Sequence, residues 1–151
     1  MVHVRQRQFW YTAGLAFECQ GCGNCCSGPG EGYIWVNRRE LERIAQFLNL
    51  SADECRRRYC RRQGLRTTLI EQETTRDCIF LRKVDGGKRC VIYPVRPTQC
   101  RTWPFWAGNL RSPADWNEAA RRCPGINHGR VYDIEQIERL RKTRDWTVDE
   151  P

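Results

Sequence analysis

The chain has 151 residues, enough for one domain with a modest hydrophobic core. Its mean hydropathy is −0.74, so the core is thin and a covalent or metal staple is expected. Ten cysteines fall short of the density of a small disulfide scaffold. Net charge is +8, from 26 Lys and Arg against 18 Asp and Glu. Four thiolates on a zinc ion leave a centre of about −2, so two such centres would offset about half of that surplus. Arginine therefore reads as compensation for thiolates and as solvated surface. The basic runs carry no nucleic-acid signature. A protein partner is compatible with them, and the sequence sets no oligomeric state. No uncharged apolar run approaches the roughly 18 residues of a membrane span. The apolar stretch around Tyr11 to Phe17 is broken by Gly14 and runs into Glu18, unlike a secretory signal. Clustered thiols without such a signal point to a reducing cytoplasm, where metal is favoured over disulfide.

In chain order, Phe9-Trp10-Tyr11 is an aromatic lead-in and Cys19 to Cys26 a knuckle. Residues 27–32 form a loop, and Tyr33 to Val36 reads as a short strand. Asn37 caps a helix with Glu40 three residues on, and Leu41, Ile44, Ala45 and Leu48 share its apolar face. Ser51 and Glu54 open a second helix, predicted to end near Gly64. Cys55 and Cys60 fall on it about 140° apart, so they do not chelate together. Leu65 to Glu71, Cys78 to Val84 and Cys90 to Tyr93 read as strands, with Asp85-Gly86-Gly87-Lys88 turning the hairpin between the last two. Pro94 and Pro97 stop the strand, and Thr98 starts a short turn bearing Cys100. Ser112-Pro113 opens a helix running to about Arg122. Val131-Tyr132 is a short strand, Asp133 caps a last helix over about 133–144, and the tail after Arg144 is frayed. The expected fold is a small α+β domain over 1–151, with short helices around a β-hairpin, organised by a cysteine-rich metal centre.

The knuckle Cys19-Gln20-Gly21-Cys22-Gly23-Asn24-Cys25-Cys26 carries four thiols in eight residues. Each two-residue gap lets two thiolates turn onto one metal, and glycine permits the positive φ that such a turn uses. Cys78, Cys90, Cys100 and Cys123 follow. C-x₂-C-x₂-C is also the first part of a bacterial ferredoxin run, with Cys123-Pro124 in place of its remote Cys-Pro. That spacing favours a 4Fe–4S iron–sulfur cluster over zinc, which the same thiols can hold tetrahedrally. Adjacent Cys25 and Cys26 point in different directions, so they serve different sites or only one is a ligand.

These residues, with Cys78-Ile79-Phe80-Leu81, the run from Cys90 to Arg101, Trp103-Pro104-Phe105 and Cys123-Pro124-Gly125, resemble the YkgJ-type cysteine-cluster family, described as zinc- or iron-chelating. The resemblance covers roughly 17–127. It implies a ligand set of Cys19, Cys22, Cys25, Cys26, Cys78, Cys90, Cys100 and Cys123. Cys55 and Cys60 lie outside the pattern and read as packing thiols. Similar clusters occur in flagellin lysine methylases, which implies methyl transfer only at a distance.

His128 reads as a surface-loop residue, Arg96 and Arg101 flank Cys100, and Trp103, Phe105 and Trp106 either shield the centre or pack a core. No recognisable catalytic motif is present: GxSxG, HExxH, a Walker loop and GxGxxG are all missing. Three functions follow. The first is a metal-binding protein in redox or iron handling. The second is a cluster-dependent group-transfer enzyme, and the third a zinc-stapled interaction domain. In the first, the hairpin over 78–93 and the turn at Cys100 fold back over the knuckle, with Cys123 completing the group. A remote thiolate has no reason to approach an anionic knuckle unless a cation lies between them.

Overall fold

A computed structural model describes residues 8–26 and 33–143, apart from the side chain of Cys26. The expected loop at 27–32 and the frayed tail after Arg144 lie outside the described residues. Five helices and three small sheets make the α+β architecture that the sequence predicts. The helices are α1 (Arg38–Phe47), α2 (Ala52–Tyr59), α3 (Thr98–Thr102), α4 (Pro113–Arg122) and α5 (Ile134–Lys142). The strands are β1 (Leu15–Phe17), β2 (Cys60–Gln63), β3 (Arg66–Leu69), β4 (Leu81–Val84), β5 (Gly87–Cys90) and β6 (Ile126–Tyr132). They pair antiparallel as β1 with β6, β2 with β3 and β4 with β5. No described helix is long and apolar enough to cross a membrane. The chain divides into two compact units, one holding residues 8–20 with 104–142 and the other the segment 21–103.

The first unit joins the aromatic lead-in to the C-terminal third. Leu15 pairs with Tyr132 and Ala16 with Val131, and the register then shifts so that Phe17 meets Ile126. Just past that bulge the Glu18 N–H donates to the Gly125 carbonyl at 3.0 Å. A Cβ on Gly125 would overlap the Glu18 carbonyl, so only glycine permits this approach. Phe105 is the centre of the core, with Trp116 stacked at 5.6 Å, Tyr132 tilted at 4.8 Å and Phe17 edge-on at 6.0 Å. It is a packing residue there. Ser112 caps α4 by accepting from Asp115 N, with Pro113 at the first turn as predicted. Asp133 and Gln136 exchange side-chain to backbone bonds that open α5. Tyr11 donates to Glu138 at 2.5 Å, which Arg141 also holds, fastening the lead-in to α5.

The second unit packs α1 and α2 against the two hairpins. Val36, Leu41, Ile44, Cys55, Leu69, Cys78, Phe80, Leu81 and Ile92 form one buried cluster. Burial of the predicted apolar face of α1 is what drives it. The Asn37 capping box is complete, because Asn37 accepts from Glu40 N and Glu40 Oε2 accepts from Asn37 N. Glu40 is only 2 % exposed, and its Oε1 also accepts from Thr98 N at 2.7 Å. One carboxylate therefore joins the start of α1 to the start of α3. Glu40→Ala leaves two N–H donors without acceptors and is expected to cost about 2–4 kcal/mol. Urea unfolding, with the midpoint falling at unchanged slope, measures it.

Three elements differ from expectation, beyond the unanticipated β1 and a β6 that begins at Ile126 rather than Val131. The second helix stops at Tyr59, and Cys60 turns extended at φ −128, ψ 157 to begin β2. Pairing of Cys60–Gln63 with Arg66–Leu69 around Gly64 overrides the local helical pattern. The strand expected at Tyr33 to Val36 keeps a single bridge, Trp35 to Thr68. Val36 N and the Ile34 carbonyl bond Thr67 and Leu69 of β3, while Gln99 accepts from Trp35 N and donates to the Tyr33 carbonyl. The third difference is in the hairpin, whose strands run only over Leu81–Val84 and Gly87–Cys90. Cys78 instead bridges Glu71, and Tyr93–Val95 tightens into a 3₁₀ turn at Pro94, which has no N–H to donate to a ladder.

Candidate metal centre

The two positive-φ glycines of the knuckle shape its path, Gly21 at 66° and Gly23 at 73°. A Cβ on Gly23 would come 2.9 Å from Leu81 Cδ1 and 3.2 Å from Lys88 Cβ. The knuckle backbone thus lies directly on the β4–β5 hairpin, as the sequence predicted for this part of the chain. Asn24 N–H donates to Cys22 Sγ at 3.4 Å, a bond that turns the backbone toward sulfur. Cys25 follows in a 3₁₀ turn over Asn24–Cys26. From the hairpin side, Cys78 precedes β4 and Cys90 ends β5, and α3 presents Cys100.

Cys25, Cys78, Cys90 and Cys100 all influence one another. Burial pushes the Cys78 thiol up to about 12, and Cys90 and Cys25 push the same way against a hydrogen bond from the Phe80 N–H. Burial also raises Cys90, against the Ile92 N–H and the Arg96 guanidinium, with Cys25 adding to the rise. Cys100 is raised well above the ordinary thiol range, first by burial and then by Cys78, Cys25 and Cys90. Every one of the six pairs among these four sulfurs is therefore within electrostatic reach. Cys78 is buried, Cys90 and Cys100 are half-buried and Cys25 is exposed, and four mutually repelling sulfur anions are costly to gather there. A divalent cation reverses that penalty, and soft thiolate donors suit zinc and iron.

No three His, Cys, Asp or Glu side chains among the described residues already stand at ion-holding separation. The four thiols lie within electrostatic reach of one another but not at ion-holding separation, and a bound cation would supply the remaining attraction. The Arg96 guanidinium lowers the proton affinity of Cys90 and Cys100. Arg96 is held by its Nε bond to the Tyr93 carbonyl at 3.1 Å and by stacking on the Tyr93 ring at 3.8 Å. Lys88 bonds the buried Asp77, next to Cys78, at 2.8 Å.

The other predicted ligands are placed as follows. Cys22 belongs to the same unit as the four, half-buried in the knuckle. Cys19 and Cys123 belong to the first unit, where the Glu18–Gly125 bond brings their segments side by side, Cys19 exposed and Cys123 buried. The Cys26 side chain lies outside the described residues. Nine cysteines are described, and none is in a disulfide. His128 is exposed on β6. Cys55 and Cys60 sit in and against the apolar cluster of α1 and α2. Burial raises both thiols, Cys60 to about 12, which keeps them protonated. Cys55→Ala and Cys60→Ser are expected to leave metal content unchanged, at a packing cost of about 1–2 kcal/mol each. Elemental analysis alongside thermal melting checks both halves of that expectation.

An open groove of about 730 Å³ runs between α1, α2 and the β2–β3 hairpin. It is lined by Leu41, Arg38, Arg56, Arg62 and Leu65 among others, and no cysteine reaches it. The sequence did not single it out, because its wall is assembled from three separate elements.

Comparison with known proteins agrees with the thiol pattern. An uncharacterized protein of Methanocaldococcus jannaschii is 38 % identical over 96 residues, which is 63 % of this chain and 48 % of that protein. The chain thus spans about half the length of this curated relative. No solved structure matches it. The family CxxCxxCC, described as "Putative zinc- or iron-chelating domain", matches residues 18–124, from the start of the knuckle through Cys123 and across both units. With most of its length so covered, the chain belongs to the CxxCxxCC family of cysteine-cluster domains.

Proposed function

We propose that the protein is a metal-binding module in which Cys25, Cys78, Cys90 and Cys100 hold one zinc- or iron-containing centre. What supports this reading is that four thiols from three distant segments lie within electrostatic reach of one another, each pair raising proton affinity. Cys25 comes from the knuckle, Cys78 and Cys90 from the hairpin, and Cys100 from α3. Once bound, the metal would supply a crosslink among those segments and a Lewis-acidic or redox centre. The protein's own part is to bury Cys78 and half-bury Cys90 and Cys100, to donate the Phe80 and Ile92 N–H groups to sulfur, and to place Arg96 against the negative charge. Cys19, Cys22, Cys26 and Cys123 are further candidate ligands through the family pattern, outside the four thiols that suffice for this centre.

The C-x₂-C-x₂-C spacing supports a 4Fe–4S form of the centre, since three successive knuckle thiols can wrap a cubane. A set that draws only Cys25 from that run supports a single tetrahedral ion instead. The roles consistent with either form are electron transfer, redox sensing or iron handling in a reducing cytoplasm. Anaerobic purification followed by elemental analysis and absorption spectroscopy tests the reading. Brown protein with a band near about 400 nm indicates the cluster, and colourless protein with stoichiometric zinc indicates the single ion. Protein that takes up neither metal after reconstitution with iron and sulfide or with zinc refutes both.

A further inference from the structure

Cys78 enters the proposed centre from a turn that precedes β4. Its carbonyl accepts from Leu81 N at 2.9 Å, which closes the turn over 78–81. Inside that turn the Phe80 N–H donates to the Cys78 sulfur. The direction of the sulfur therefore depends on the turn keeping its shape. Gln72 fixes that shape from outside. Its Nε2 donates to the Cys78 carbonyl at 3.2 Å and to the Leu81 carbonyl at 2.8 Å, the two ends of the turn. A side-chain amide nitrogen has two hydrogens, and both are used here. Gln72 is itself anchored, because its N–H donates to the Asp77 carbonyl at 2.8 Å and its carbonyl accepts from Arg76 N at 2.9 Å.

An ion pair ties the same turn to the second hairpin thiol. Asp77 precedes Cys78, and its Oδ2 accepts from Lys88 Nζ at 2.8 Å. Lys88 lies on β5 two residues before Cys90, so the two share one side of the strand. The Asp77 side chain is 9 % exposed, whereas the Arg38–Glu42 pair on α1 is open to water on both sides. An exposed pair holds little in place, but removing Lys88 would leave a buried carboxylate unpaired beside the thiols. The atoms held by Gln72 and by this pair are those of Cys78, of the residue before it and of the strand that ends in Cys90. A metal site gains affinity when partners outside the ligand set fix the ligands before the ion arrives.

We propose that Gln72 and the Asp77–Lys88 pair are positioning residues for the metal, so that the ion gathers Cys25 and Cys100 around two thiols whose backbone is already held. The inference rests on the four-thiol centre proposed above. Neither contact follows from the cysteine spacing, because Gln72 and Lys88 lie outside every cysteine motif of the chain.

Anaerobic titration of the reduced full chain with cobalt(II) tests this, because tetrahedral thiolate coordination gives cobalt a distinctive absorption spectrum. Gln72→Met, which keeps the length and removes both donors, is expected to weaken cobalt binding about tenfold to a hundredfold and to move the bands at saturation. Lys88→Met is expected to do the same, whereas Lys88→Arg, which keeps the cation, stays near wild type. Leu41→Ala is the control, since Leu41 is buried on α1 and its loss lowers stability without touching the turn. It is expected to leave the band positions at saturation unmoved. Unchanged affinity and spectrum in both Gln72→Met and Lys88→Met would overturn the inference and leave the four-thiol centre standing. Weaker binding with unmoved bands, as in the control, would make these residues ordinary stabilisers and overturn it equally. Wild-type protein without a thiolate-bound cobalt spectrum would overturn the centre itself, and the inference with it.

Discussion

Metal removal by a strong chelator, under anaerobic reducing conditions, is expected to abolish the cooperative thermal transition of the segment 21–103. The magnitudes decide this. A structural zinc ion on thiolates contributes on the order of 10 kcal/mol at neutral pH. The whole stability of a natural domain is about 5–15 kcal/mol. The apolar cluster of α1, α2 and the hairpins is small, and it already includes Cys55 and Cys78 among its members. Without the crosslink, the knuckle, the hairpin and α3 keep only short strands, one helix of five residues and side-chain bonds such as Glu40 to Thr98 N. Differential scanning calorimetry with and without the chelator measures the change. A melting curve that is unaltered in verified metal-free protein would remove the metal as an organiser of the fold.

Single replacement of Cys78 or Cys100 by Ser is the second large effect. Each variant is expected to lose most of its bound metal and to melt far below the parent, because one hard hydroxyl among three thiols does not complete a soft tetrahedral site. Cys78 is 6 % exposed and sits in the apolar cluster, so Ser there also costs packing. Cys100 carries the cleaner test, since it lies on α3 and is not a member of that cluster. Elemental analysis of the variants as purified provides the measurement. Full metal occupancy in Cys100→Ser would remove α3 from the centre.

Local chemistry made much of this molecule legible. Asn37 with Glu40, Ser112 with Pro113, and Asp133 announced three helix starts, because a capping group bonds within its own turn. Asp85-Gly86 announced the hairpin turn, with Gly86 at φ 83°. The α+β class and the family followed from the caps and the thiol spacing. What depended on partners distant in sequence was less legible. Cys60 was placed in a helix because Arg56 to Arg62 continues a helical pattern, yet pairing with Leu69 draws it into a strand. Gln99 gave no signal that it would complete the backbone of Tyr33 and Trp35. The cysteines show the same division. Their number and spacing revealed thiolate chemistry. That Cys25 lies within electrostatic reach of Cys78, Cys90 and Cys100 depends on the hairpin meeting the knuckle, where Gly23 closely approaches Leu81 and Lys88.

The central claim is that these four thiols are sufficient for one centre. X-ray absorption at the metal edge of the Cys19→Ser/Cys22→Ser/Cys123→Ser variant tests it most directly. The account predicts a retained metal with sulfur-only first coordination at about 2.3 Å. A variant that takes up no metal, or whose first shell includes oxygen or nitrogen at about 2.0–2.1 Å in place of sulfur, would contradict it.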